Sequence, residues 1–92
     1  SAITTIGGSV TIDLAPLLSD PDNNLNFASL QVVGNRTAKG GTTSLDGLTL
    51  EINYNGLKFA GEDNATIRIC DLLNVCIEQL LTIEVIGDYQ CL

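Results

Sequence analysis

The sequence predicts an all-β fold, an antiparallel sandwich of about seven strands. Three observations predict it. The hydrophobic period is two rather than 3.6, the mark of half-buried strands. Turn signals recur at roughly the 8–12-residue spacing of sandwich strands. The apolar residues are Leu, Ile and Val among many Thr, with aromatics at only 4%, and β-branched types favour a pleated surface.

The elements follow in order. "SVTIDL" alternates Val10, Ile12 and Leu14 against Ser9, Thr11 and Asp13. "LTLEINY" sets Leu48, Leu50, Ile52 and Tyr54 against Thr49, Glu51 and Asn53. "ATIRIC" sets Ala65, Ile67 and Ile69 against Thr66, Arg68 and Cys70, and "LTIEV" sets Leu81, Ile83 and Val85 against Thr82 and Glu84. Each segment has one apolar and one polar face, as an antiparallel strand with one side in water requires. "SLQVV" fits less cleanly. Gly7-Gly8, "SDPDNN", Gly34-Asn35, Gly40-Gly41, Asp46-Gly47, Asn55-Gly56 and "GEDN" punctuate these runs. Asp46-Gly47 reads as a two-residue hairpin loop, because a type I′ turn needs positive φ at both positions. "APLLSD" has room for a short helical turn. The strands fall near 2–6, 9–14, 28–34, 41–46, 48–54, 64–70 and 75–86. That count and spacing predict an immunoglobulin-like sandwich, with a small barrel as the competing fold.

Composition bounds the function. Ninety-two residues make one domain, 1–92, with no room for a second core. An apolar fraction of 45% is ample for a folded core. A net charge of −7 argues against nucleic acid or an anionic membrane as partner, and no apolar run is long enough to span a bilayer. The absence of His removes the imidazole base and the His metal ligand. The chain opens at Ser1 on the approach to a strand and stops at Leu92 without a terminating signal. It reads as a piece of a longer protein, or as a mature chain.

"CDLLNVC" places Cys70 at the end of one strand and Cys76 at the start of the next. By parity both sit on outer faces, Cys70 with Thr66 and Arg68, Cys76 with Thr82 and Glu84. Facing residues of one hairpin lie within disulfide reach. A bridge there adds roughly 2 kcal/mol in the chain-entropy model and implies an oxidising compartment: cell surface, periplasm or the extracellular space. The alternative is two free thiols in a cytosolic protein. Cys91 is left over, with no base beside it to make it a nucleophile.

"LLSDPDNNLNF" packs Asp20, Asp22, Asn23 and Asn24 into one loop. In a sandwich this loop shares an end with the 71–75 turn, which carries Asp71 and Asn74. Asp20, Asp22 and Asp71 are therefore candidate Ca²⁺ ligands, since hard oxygens gathered at spacing two suit an ion that takes six to eight of them at about 2.3–2.6 Å. Glu62, Asp63 and Asp88 form a weaker candidate set at the opposite end, the first two in a loop. Ordinary turn chemistry, with Asp and Asn bonding their own backbone, is the competing reading.

Taken together, "GGSVTIDL", "LSDPDNNL", "GEDNATIRICDLLNVC" and "LTIEVIGD" occur in the order found in cadherin-like and bacterial immunoglobulin-like repeats of large surface adhesins. The chain resembles these repeats over nearly its whole length, gliding-motility adhesins being one context. The usual Gly after "DPD" is Asn23 here, and the "DxNDN" linker of animal cadherins is missing. The resemblance implies tandem exported modules, junction Ca²⁺ held by Asp20, Asp22 and Asp71 with the preceding domain, and no enzymatic activity. The expected partners are neighbouring domains of the same chain and a surface glycan or protein.

The leading expectation is thus an extracellular structural and adhesive module, a spacer or adhesion domain. The alternative is an accessory carbohydrate-binding module of a secreted enzyme. Such sites stack sugars on exposed aromatics, and Phe27, Tyr54, Phe59 and Tyr89 make no evident platform. An enzyme working through Asp/Glu pairs would need a cleft that nothing here indicates.

Overall fold

A computed structural model of the chain describes residues 2–18 and 24–87. Its strands are β1 (Ala2–Thr5), β2 (Ser9–Asp13), β3 (Leu25–Val32), β4 (Thr42–Asp46), β5 (Thr49–Asn53), β6 (Gly61–Asp71) and β7 (Cys76–Ile86). One turn of 3-10 helix spans Ala15–Leu17, where the short helical turn was expected, and another spans Val33–Asn35. A four-stranded sheet runs β1-β7-β6-β3 and a three-stranded sheet runs β2-β5-β4. Two separate sheets make a sandwich, not a closed barrel. All pairings are antiparallel except that of β1, which lies parallel to β7 from Ala2↔Ile83 to Thr5↔Ile86.

The period of two delivers the core. Leu50, Ile52, Ile67, Ile69, Ile83 and Val85 are almost fully buried between the sheets. The polar partners in each strand face out, and Thr66, Arg68, Thr82 and Glu84 hold the outer face of β6 and β7 as parity requires. Leu14 and Leu18 close the core beside the 3-10 turn.

Three local details depart from the expectation. β3 begins at Leu25 and not near 28, and its ladder with β6 shifts register between Asn26 and Gln31. Inside that irregularity the Ser29 hydroxyl accepts the Cys70 N–H at 2.8 Å, doing the work of the missing backbone carbonyl. This explains why "SLQVV" alternates poorly. The β4–β5 loop is Gly47-Leu48 and not Asp46-Gly47, because Asp46 pairs with Thr49. Only Gly47 has positive φ, at +61°, the requirement of a type II′ rather than a type I′ turn. The Leu48 carbonyl accepts the Leu14 N–H at 2.8 Å, which ties the loop to the core. Finally, β6 starts at Gly61, so Glu62 and Asp63 are strand residues, not loop residues.

Candidate functional site

The β6–β7 turn is built by its two polar residues. Asp71 and Asn74 close it, with the Asn74 N–H donating to the Asp71 carbonyl at 3.0 Å. Asn74 takes φ +68°, a left-handed conformation that Asn tolerates better than most. The Asp71 Oδ1 accepts the N–H groups of Leu73 and Val75, both at 2.8 Å. One carboxylate oxygen of Asp71 is thus occupied by its own turn. The Leu72 N–H donates to the Asn24 carbonyl at 2.9 Å. Asn24, where the chain leaves the acidic loop, therefore touches this turn. Asp20, Asp22 and Asn23 lie outside the described residues, as do Asp88, Tyr89 and Cys91.

Immediately behind the turn, Cys70 and Cys76 are joined by a disulfide, directly opposite each other in the ladder. The neighbouring pair bonds through the Asp71 N–H and the Val75 carbonyl at 2.8 Å. Cys70 and Cys76 are then a non-hydrogen-bonded pair, where side chains come closest. The staple holds an apolar tip. Leu72 is 67% exposed, Leu73 77% and Val75 62%. Ile77 occupies an inward position yet is 54% exposed, because the three-stranded sheet no longer covers β7 at this end. Sequence reasoning read Asp71 and Asn74 and passed over the leucines between them. The signal was there: a turn centred on two leucines has no core to enter.

At the other end Glu62 and Asp63 part company. Successive strand residues face opposite sides of a sheet. Glu62 is exposed on the outer face, directly across from Glu84. Asp63 is fully buried. The two cannot serve as ligands on one side of a common ion, which corrects their placement in a loop. Asp63 Oδ2 accepts the Tyr54 phenol at 2.7 Å. Its Oδ1 accepts the N–H groups of Asn64 at 2.8 Å and Lys39 at 2.9 Å. Burial pushes this carboxyl up, but the Thr37 hydroxyl, the Tyr54 phenol and the two amides outweigh it and hold it below its ordinary value. Burial, then the bond to Asp63 and its charge, raise the Tyr54 phenol well above its own. Gly41 completes the cluster: its N–H donates to the Thr37 hydroxyl at 2.8 Å, and a Cβ there would meet the Thr37 oxygen and the Tyr54 ring at 2.9 Å. Asp63 thus anchors the 37–41 loop to β6.

The exposed Glu62–Glu84 pair places like charges opposite each other, which is destabilising. Glu84→Lys is expected to raise stability by about 0.2–1 kcal/mol, a gain that shrinks with added salt. Urea denaturation at two ionic strengths checks both statements.

Among the described residues no group of three or more Cys, Asp or Glu side chains is placed to hold a metal ion. No helix among them is long and apolar enough to cross a membrane. Comparison with known families, curated proteins and solved structures found no match.

Proposed function

We propose that this domain is an extracellular structural and adhesive module of a large tandem-repeat bacterial surface protein, serving as spacer and as contact surface. The observation that carries the reading is the disulfide-stapled hairpin tip with Leu72, Leu73 and Val75 in solvent. Exposed apolar side chains gathered at one tip mark an interaction site more readily than scattered ones do. Extents of 55 × 21 × 18 Å suit a rod-like spacer, and the disulfide suits an oxidising compartment. Ca²⁺ held by Asp20 and Asp22 with the second oxygen of Asp71 would stiffen the same end, where a neighbouring domain would complete the shell.

Beads coated with the domain test the adhesive role. They are expected to adhere to a protein-coated or hydrophobic surface, and the folded Leu72→Ser, Leu73→Ser variant to lose most of that adhesion. Equal adhesion by the two proteins would remove the tip from the account. The calcium part is tested separately by melting in millimolar Ca²⁺ and in chelator. Specific binding at one hundred times the dissociation constant adds about 2.7 kcal/mol, and the Asp20→Asn, Asp22→Asn variant should lose it. Identical melting of the wild-type protein in both buffers leaves the acidic loop as a turn.

A further inference from the structure

We propose that Asn55 is a site of spontaneous covalent modification: the Gly56 nitrogen closes a five-membered succinimide on the Asn55 side chain, ammonia leaves, and water opens the ring to a mixture of aspartyl and β-aspartyl linkages.

The sequence singles the site out. Of all the Asn residues, Asn55 alone precedes a glycine. The attacking atom is the main-chain nitrogen of the following residue, and any side chain on that residue crowds its approach. The structure leaves the reacting groups accessible. The Leu57 N–H donates to the Tyr54 carbonyl at 2.9 Å, which closes a β-turn with Asn55 and Gly56 at its centre. Gly56 has φ +83° and Asn55 does not share the positive sign, the pattern of a type II turn. Both residues are exposed. Among the described residues, none bonds to the Gly56 N–H or to the Asn55 side-chain amide. Ring closure needs the central peptide unit to turn over. Type I and type II turns share their closing bond and differ in the orientation of that unit, and glycine takes either sign of φ. Nothing packed against Gly56 hinders the change, since a Cβ there would meet no atom within 4 Å.

The chemistry balances without an oxidant or reductant. A base takes the Gly56 amide proton, the nitrogen attacks Cγ of Asn55, and the Cγ–Nδ2 bond breaks with Nδ2 leaving as ammonia. Water then cleaves one of the two bonds from the ring nitrogen to carbon. Cleavage at Cγ leaves an aspartyl residue in the ordinary main chain. Cleavage at the Asn55 main-chain carbonyl leaves a β-aspartyl linkage, in which the chain runs through Cβ and Cγ. The net reaction consumes one water and exchanges an amide for a carboxylate. Asp46-Gly47 has the same spacing without the same reactivity. A carboxylate is a poorer electrophile than an amide, and Asp46 is paired with Thr49 in the β4–β5 ladder.

The modification falls beside a structural anchor. The Tyr54 N–H donates to the Gly8 carbonyl at 2.8 Å, and its phenol holds Asp63. The Asn55 N–H donates to the Asn53 Oδ1 at 2.8 Å. A β-aspartyl linkage lengthens the main chain by one methylene between Tyr54 and Leu57, which breaks the geometry of the closing bond between them. Either product adds a negative charge close to Lys58. The domain should therefore age from this turn outward, loosening first at Gly8, Tyr54 and Leu57.

The test incubates the intact disulfide-bonded protein at neutral pH. It follows ammonia release, peptide mass, and methyl transfer to the product by an isoaspartyl carboxyl methyltransferase. The free peptide Ile-Asn-Tyr-Asn-Gly-Leu-Lys, the sequence of residues 52–58, runs beside it as a clock. One amide lost per chain is expected, mapped to residue 55, with a methyl-accepting product. The rate should lie within about tenfold of the peptide's, a barrier difference of about 1.4 kcal/mol. Asn55→Gln, which must close a six-membered ring, should stay unmodified at this position over the same period. Gly56→Ala should slow the reaction about tenfold or more, and the same change in the peptide shows this even if the protein variant misfolds. Modification first at another Asn, or none while the peptide converts fully, overturns the proposal. So does an aspartyl product without a methyl-accepting one, which would mean direct hydrolysis with no ring.

Discussion

Asp63→Ala is expected to cost about 3–5 kcal/mol, the largest effect of any single substitution considered. The buried carboxylate is removed while its donors stay: the Tyr54 phenol and the amides of Lys39 and Asn64. Each orphaned donor costs about 1–3 kcal/mol, and breaking a buried charged network costs about 3–5 kcal/mol. A domain of this size has only about 5–15 kcal/mol of stability. The melting temperature should fall by about 12 °C or more. Tyr54→Phe is the milder probe, leaving one carboxylate oxygen without its phenol at about 1.5–3 kcal/mol. The pH dependence has a defined sign. Asp63 is held below its ordinary value in the folded state, so its contribution is fully present above the unfolded pKa of about 3.9. It is lost as pH falls through the folded value. Denaturant midpoints between pH 2 and about 6 should drop less steeply for Asp63→Asn than for the wild type. Parallel curves for the two proteins would take Asp63 out of the acid response.

Reduction of Cys70–Cys76, or its replacement by two alanines, should cost about 2 kcal/mol and lower the melting temperature by roughly 8–16 °C. The fold should survive, because the β6–β7 ladder continues from Ile69↔Ile77 to Gly61↔Val85 without the bridge. The structural damage should be local. Amide exchange should accelerate most from Asp71 to Val75, and in β2 and β5 by no more than the loss of global stability dictates. Calorimetry and exchange with and without a phosphine reductant measure both. An unchanged melting temperature with an accelerated tip would mean the bridge organises the hairpin without stabilising the domain. Acceleration in β2 and β5 beyond that loss would mean the bridge holds the two sheets together. The same variant connects stability to function: a loosened Leu72-Leu73 turn loses the rigid presentation on which the adhesive reading depends.

Much of the fold was legible in the residues. β2, β5, β6 and β7 announce themselves through alternation, because each buries one face only. The disulfide was legible for the same reason, since parity alone puts Cys70 and Cys76 on one face of a hairpin. Asp63 was misplaced because "GEDN" has the composition of a turn. Yet stepping back by twos from Ile69 through Ile67 and Ala65 lands on Asp63, on the inward face. The alternation had carried the signal against the residue type. The Gly47-Leu48 loop was misplaced by one residue because Leu48, apolar and bonded to Leu14, behaves as part of the core.

What the sequence by itself determined is the set of strands, their buried faces and the covalent staple, since each follows from local periodicity or parity. What only the tertiary structure decided is which groups find partners across the molecule. The Tyr54 phenol and the Lys39 amide reach Asp63 from other segments of the chain, and no local pattern encodes that meeting. Likewise, that β1 pairs with β7 from Ala2↔Ile83 to Thr5↔Ile86 depends on register between two strands far apart in the sequence. Register is set by how the two sheets pack, and packing is a property of the whole core.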